Sequence, residues 1–228
     1  MALLIFAVLS LLVAGELRAG VVVGGTRFIF PADRESISIL LTNTSQESWL
    51  INSKINRPTR GGGEASTVPA PLLAAPPLIL LKPGTTGTLR LLRTESDILP
   101  VDRETLFELS IASVPSGKVE NQSVKVAMRS VFKLFWRPEG LPGDPLEAYQ
   151  QLRWTRNSQG VQLTNPTPYY INLIQVSVNG KALSNAGVVP PKSQRQTSWC
   201  QAIAPCHVAW RAINDYGGLS AKKEQNLP

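Results

Sequence analysis

Between Ser123 and Arg137 the chain alternates, with mostly apolar residues at its even positions. Its even positions are Val124, Val126, Met128, Ser130, Phe132, Leu134 and Trp136, and its odd positions include Lys125, Arg129, Lys133 and Arg137. A period of two puts one set of side chains on each face of a β-strand, apolar on one and polar on the other. Ordinary strands run about 3–10 residues, so a sheet of the chain's own would be satisfied over roughly half of this segment. The surplus is the strongest constraint in the sequence. Shorter runs of the same character recur: Ser36-Ile37-Ser38-Ile39-Leu40-Leu41 before Asn43-Thr44-Ser45, Trp49-Leu50-Ile51 before Arg60-Gly61-Gly62-Gly63, Thr88 to Leu92 after Lys82-Pro83-Gly84, and Thr105 to Ile111. No segment keeps a helical period over ten residues. Short strands spaced by turn residues predict an all-β chain built from sandwiches.

The run Pro138-Glu139-Gly140-Leu141-Pro142-Gly143-Asp144-Pro145 is a stiff connector. Beyond it the strand pattern resumes at Gln162-Leu163 and Ile171 to Val178, followed by Asn179-Gly180, a strong hairpin turn. Two β-sandwich domains are expected, at 20–138 and 146–228 with a linker at 139–145. A chain of 228 residues has enough material for both cores.

Residues 2–14 are uninterruptedly apolar, too short for the roughly 20 residues of a membrane-spanning helix. With Ala19 as a small cleavage residue, 1–19 reads as a signal peptide, although no Lys or Arg precedes the apolar run. An exported protein without a membrane anchor is expected. In an oxidising compartment Cys200 and Cys206, with five residues between them, read as a local disulfide.

Two cysteines and one histidine exclude most structural metal sites. There is no nucleophile elbow, phosphate-binding glycine loop or ligand cluster, so neither an enzyme nor a cofactor is expected. His207, beside Cys206 and near Trp210, reads as structural. A net charge of +7 is scattered along the chain, and an exported protein rarely meets nucleic acid.

Six further motifs carry a resemblance. They are Thr26-Arg27; Ala75-Pro76-Pro77; Leu99-Pro100 with Asp102-Arg103-Glu104-Thr105-Leu106-Phe107; Lys133-Leu134-Phe135-Trp136-Arg137-Pro138; Asn165-Pro166-Thr167-Pro168-Tyr169-Tyr170; and Ile213-Asn214-Asp215-Tyr216-Gly217-Gly218. In this order and spacing the mature chain resembles the periplasmic pilus (fimbrial) chaperones of the chaperone–usher family. Trp136 stands where Tyr is commoner.

The resemblance implies two immunoglobulin-like domains in a boomerang arrangement, located in the periplasm. It also implies a function: capturing and folding pilus subunits by donor-strand complementation and delivering them to an outer-membrane usher. A subunit lacking its last strand exposes an apolar groove and an open edge, and a lent strand covers both. By similarity, Val124, Val126 and Met128 are the donor side chains, with Gln122 at the end of the series. The residues alone allow the other reading, in which they face their own core. Also by similarity, Arg27 and Lys133 bind the subunit's C-terminal carboxylate, which an Arg fork and a point-charge Lys match well. Glu104, Arg137 and Asp215 are expected to form an interdomain salt bridge. Pro76-Pro77 is a candidate cis site. The loop from Ala112 to Gln122 places the chain in the short-loop group. The free chaperone could self-associate through its donor strand. The alternative function is a secreted two-domain immunoglobulin-like adhesion or binding module.

Overall fold

The computed structural model describes residues 20–58, 68–94, 99–117, 126–201 and 205–228. The leader at 1–19, the glycines at 61–63, and Gln122 and Val124 of the donor series lie outside the described residues. No helix among the described residues is long and apolar enough to cross a membrane.

The first half carries nine strands: β1 (Val21–Val23), β2 (Arg27–Pro31), β3 (Ser36–Asn43), β4 (Ser48–Asn56), β5 (Leu72–Ala75), β6 (Leu78–Leu81), β7 (Thr86–Arg93), β8 (Thr105–Ser116) and β9 (Met128–Arg137). They form two facing sheets, β1-β3-β7-β5 and β2-β9-β8-β4-β6. The inward alternates Phe30, Ile39, Leu41, Ile51, Leu89 and Phe107 are nearly solvent-free. Burying each such side chain contributes about 1.5–3 kcal/mol. Phe30 stacks on Trp136 with centroids 5.3 Å apart, joining β2 to β9 through the core.

The second half carries β10 (Arg153–Asn157), β11 (Gly160–Asn165), β12 (Ile171–Val178), β13 (Lys181–Ala182), β14 (Val188–Val189), β15 (Ser193–Thr197), β16 (Cys206–Ile213) and β17 (Lys223–Leu227). A three-stranded sheet, β10-β11-β15, faces a second one, β13-β12-β16-β17, with β14 also on β12. Trp154 lies between Trp199 and Trp210, 6.0 and 5.2 Å away, as the centre of this core. Cys200 and Cys206 form a disulfide. The hairpin after β12 turns through Asn179 and Gly180, both at positive φ (49° and 77°), as a tight primed turn requires. His207 is half-exposed, 3.7 Å from Glu224.

Each sandwich turns a corner on a fully buried asparagine. The Asn43 amide donates to the carbonyls of Glu47, Leu81 and Lys82, and its oxygen accepts from the Ser45 N–H and hydroxyl. Asn165 repeats this pattern in the second domain, donating to Tyr169 and Pro190 and accepting from Thr167. Asn43-Thr44-Ser45 is thus an interior peg as well as a turn signal.

Two expectations change. The strand expected over Ser123–Arg137 begins at Met128 in the described residues, and β8 is longer than β9. The loop expected from Ala112 starts only after Ser116. Ala112 and Ser113 still pair with Arg129 and Met128, and Val114 to Ser116 pair with β4. Pairing with β4 outweighed the turn preference of Pro115 and Ser116. The Ala75–Pro76 bond is cis.

Candidate functional site

β9 has two different edges. On one side it pairs with β8 over its whole length, from Ser113–Met128 to Thr105–Trp136. On the other side β2 runs parallel to it, but only from Arg27–Lys133 to Pro31–Arg137. Residues 128–132 therefore keep one edge of main-chain donors and acceptors open among the described strands, as at any sheet edge.

The side chains divide at the same point. Leu134 and Trp136 are buried in the first core, and Phe132 packs against its margin. Met128, on the same face, is 56% exposed, and Val126, two positions before the strand, is 63% exposed. The alternation divides: Phe132, Leu134 and Trp136 face the chain's own core, while Met128 and, before the strand, Val126 stand in solvent and do not pack into it.

Where β2 begins, parallel pairing sets Arg27 directly beside Lys133. Both cations are half-buried, and neither makes an ion pair among the described residues. Desolvation, then the Arg27 charge, holds the Lys133 ammonium below the usual lysine range. Burial lowers Arg27 as well, with partial relief from Asp215. Arg27 is held in place by its Nη1, which donates to the Ile213 carbonyl of the second domain at 2.9 Å. Such an arrangement is short of one anion.

Below it the two domains are clamped. Arg137, the last residue of β9, donates from Nε to Glu104 at 2.7 Å and through both terminal nitrogens to Asp215 at 2.7 and 3.1 Å. Glu104 is 3% exposed and also accepts the Tyr170 N–H at 2.7 Å. Burial pushes its carboxyl up, against the opposing pull of Arg137. The ring of Phe135 meets that of Tyr170 at 5.6 Å. Replacing such a buried cluster by apolar groups is often neutral or favourable, so its value here is geometric.

Sequence reasoning missed three parts of this site. Lys192 bridges to Asp102 at 2.6 Å, a second interdomain ion pair; Arg103, then Lys192, hold the Asp102 carboxyl down at about 2. Gly217, at φ +82°, brings its backbone so close to Thr26 that a Cβ there would lie 2.6 Å from the hydroxyl. That contact packs the Asp215 turn beside Arg27, and nothing local in the sequence announces it. The third is an exposed apolar patch on the outer face of the five-stranded sheet, where Leu50 pairs with Leu80 and Val114, and Leu78 with Asn52. Its signal was available: Leu78-Ile79-Leu80-Leu81 is apolar at both parities.

The chain matches two family descriptions in sequence. Residues 20–142 match the "Pili and flagellar-assembly chaperone, PapD N-terminal domain", and 147–224 the "Pili assembly chaperone PapD, C-terminal domain". It is 98% identical to the uncharacterized fimbrial chaperone YcbF of Escherichia coli strain K12, over 100% of this chain and 97% of that protein. It is 33% identical to the chaperone protein FimC of the same strain, over 94% and 87%. Its fold superimposes with TM-score 0.78 and 30% identity on a chain of the Salmonella enterica SafA pilin–SafB chaperone complex, covering 93% of this chain and 98% of that one. In these proteins the fold is a pair of immunoglobulin-like domains that assists assembly without enzymatic chemistry. The chain belongs to the pilus-assembly (fimbrial) chaperone family.

Proposed function

We propose that this chain is a periplasmic chaperone that captures pilus subunits by donor-strand complementation and hands them to an outer-membrane usher. The observation that carries the proposal is the half-open β9, whose exposed apolar row ends at a cation pair with no anion partner among the described residues. The incoming strand takes the place that β2 leaves vacant. Its direction follows from the charges. With its terminal carboxylate on Arg27 and Lys133, it approaches from the Met128 end and runs parallel to β9. Met128 lies five positions from Lys133, about 17 Å along a strand. Over that length the partner gains main-chain hydrogen bonds, while Val126 and Met128 enter its unfinished core. The carboxylate fixes the register, since a slip of one residue would turn the apolar row away. The same open edge allows free copies to associate through β9.

Val126 is exposed, so Val126→Asp is expected to leave the thermal midpoint of the chaperone within a few degrees of wild type. It should eliminate co-purification of a co-expressed fimbrial subunit, because it places a charge in the partner's core. Normal recovery of the subunit would refute the donor role.

The lowered Lys133 pKa makes a second prediction. Capture requires the ammonium, which the carboxylate in turn stabilises. Affinity should therefore be flat where free Lys133 is protonated and fall as pH rises through its depressed pKa, below the ordinary lysine value. Binding measured by titration calorimetry across alkaline pH tests this. A decline beginning only above the ordinary lysine range would contradict it.

A further inference from the structure

The Arg27 guanidinium uses Nη1 on Ile213, but its Nε–H is buried and has no partner among the described residues. A second orphan lies in the same cavity. Asn172 is 5% exposed, and its side-chain oxygen is likewise buried and unpartnered. On β12 its neighbours Ile171 and Leu173 point into the core of the second domain, so Asn172 projects from the opposite face, toward the first. It sits across from Ile213, the residue whose carbonyl holds Arg27. Buried polar groups in folded proteins are almost always satisfied, and an orphan donor and an orphan acceptor facing one cavity have a simple common solution. The cavity, walled also by Tyr149, Tyr170 and Ser220, has about 20 Å³ for the centre of a solvent molecule. One water needs roughly 10–15 Å³ and two or more polar partners.

We infer that Asn172 is a positioning residue for Arg27, acting through one ordered water that accepts from Arg27 Nε–H and donates to the Asn172 side chain. Arg27 belongs to the first domain and Asn172 to the second, so the water ties the anchor to the interdomain angle. The guanidinium then faces the cleft with two of its three nitrogens already engaged, and loses little freedom when a carboxylate arrives. This inference rests on the carboxylate-anchor reading, but its first test does not involve a subunit.

In ¹⁵N NMR spectra of the whole protein, Arg27 Nε–H should be protected and show a cross-peak to a long-lived water. Asn172→Leu, close in size but apolar, should abolish that cross-peak; Asn172→Ser, which keeps a hydroxyl, should retain it. Recovery of a co-expressed fimbrial subunit should fall about tenfold in Asn172→Leu and return in Asn172→Ser. A crystal structure with a dry cavity, an unchanged Arg27 Nε–H signal in Asn172→Leu, or undiminished recovery would each overturn the inference. Arg27→Ala serves as the control. If it too leaves recovery intact, the carboxylate-anchor reading is at fault, whatever the NMR shows of the water.

Discussion

Replacing Lys133 by alanine should abolish subunit capture and leave the chaperone folded. The side chain is half-buried, contributes nothing to either core, and sits against the like charge of Arg27. Removing it relieves a repulsion and a desolvation cost, so the free protein should be as stable as wild type or slightly more so. The complex fares differently. Truncating one partner of a desolvated charge pair costs about 2–5 kcal/mol, because the other charge stays buried without its counterpart. At 1.4 kcal/mol per factor of ten, that is a loss of roughly 30- to 4,000-fold in affinity. Lys133→Arg should recover only part of it, since a planar fork does not replace a point charge. Co-expression with a fimbrial subunit and affinity purification, alongside a thermal melt of the free variant, checks both halves. Retention of the subunit by a folded Lys133→Ala protein would end the anchor assignment.

The second large effect concerns Arg137, where stability rather than binding is at stake. In Arg137→Ala the Glu104 carboxylate stays buried with only the Tyr170 N–H to hold it, and Asp215 loses both of its donors. Stranding a buried charge costs about 3–5 kcal/mol. Because the Arg137–Asp215 bridge spans the two domains, the loss should appear as a lower denaturant midpoint together with altered small-angle scattering. The triple change Arg137→Met, Glu104→Gln and Asp215→Asn should recover most of the stability, since it strands no charge. If the single variant unfolds like wild type with an unchanged scattering profile, the clamp has no structural role.

Much of this site was legible in the sequence. The alternation of β9, the Asn179-Gly180 hairpin and the Pro138–Pro145 connector depend on neighbours in the chain, and local periodicity and turn chemistry report such features directly. Arg27, Lys133, Glu104, Arg137 and Asp215 could be named as candidates through the motifs that contain them. The ends of elements were less readable. Pro115 and Ser116 read as loop, yet they extend β8, because the pairing with β4 that holds them there comes from residues more than sixty positions away.

What no local pattern carried is the division within β9. Leu134 and Met128 belong to one apolar row, and only the assembled sandwich shows that β2 begins at Arg27, leaving one buried and the other in solvent. The same holds for Asn172 and Gly217, whose neighbours lie across the domain interface, and for the Lys192–Asp102 bridge. Strand type, domain count and the kinds of charge available follow from short-range regularities of the polymer, so the sequence alone determined them. Among the described residues, which edge stays open, which cations lack a counter-ion and which amide is left without a partner are relations between distant segments. They came into being only when the two sandwiches packed, because burial and pairing are properties of the assembled surface.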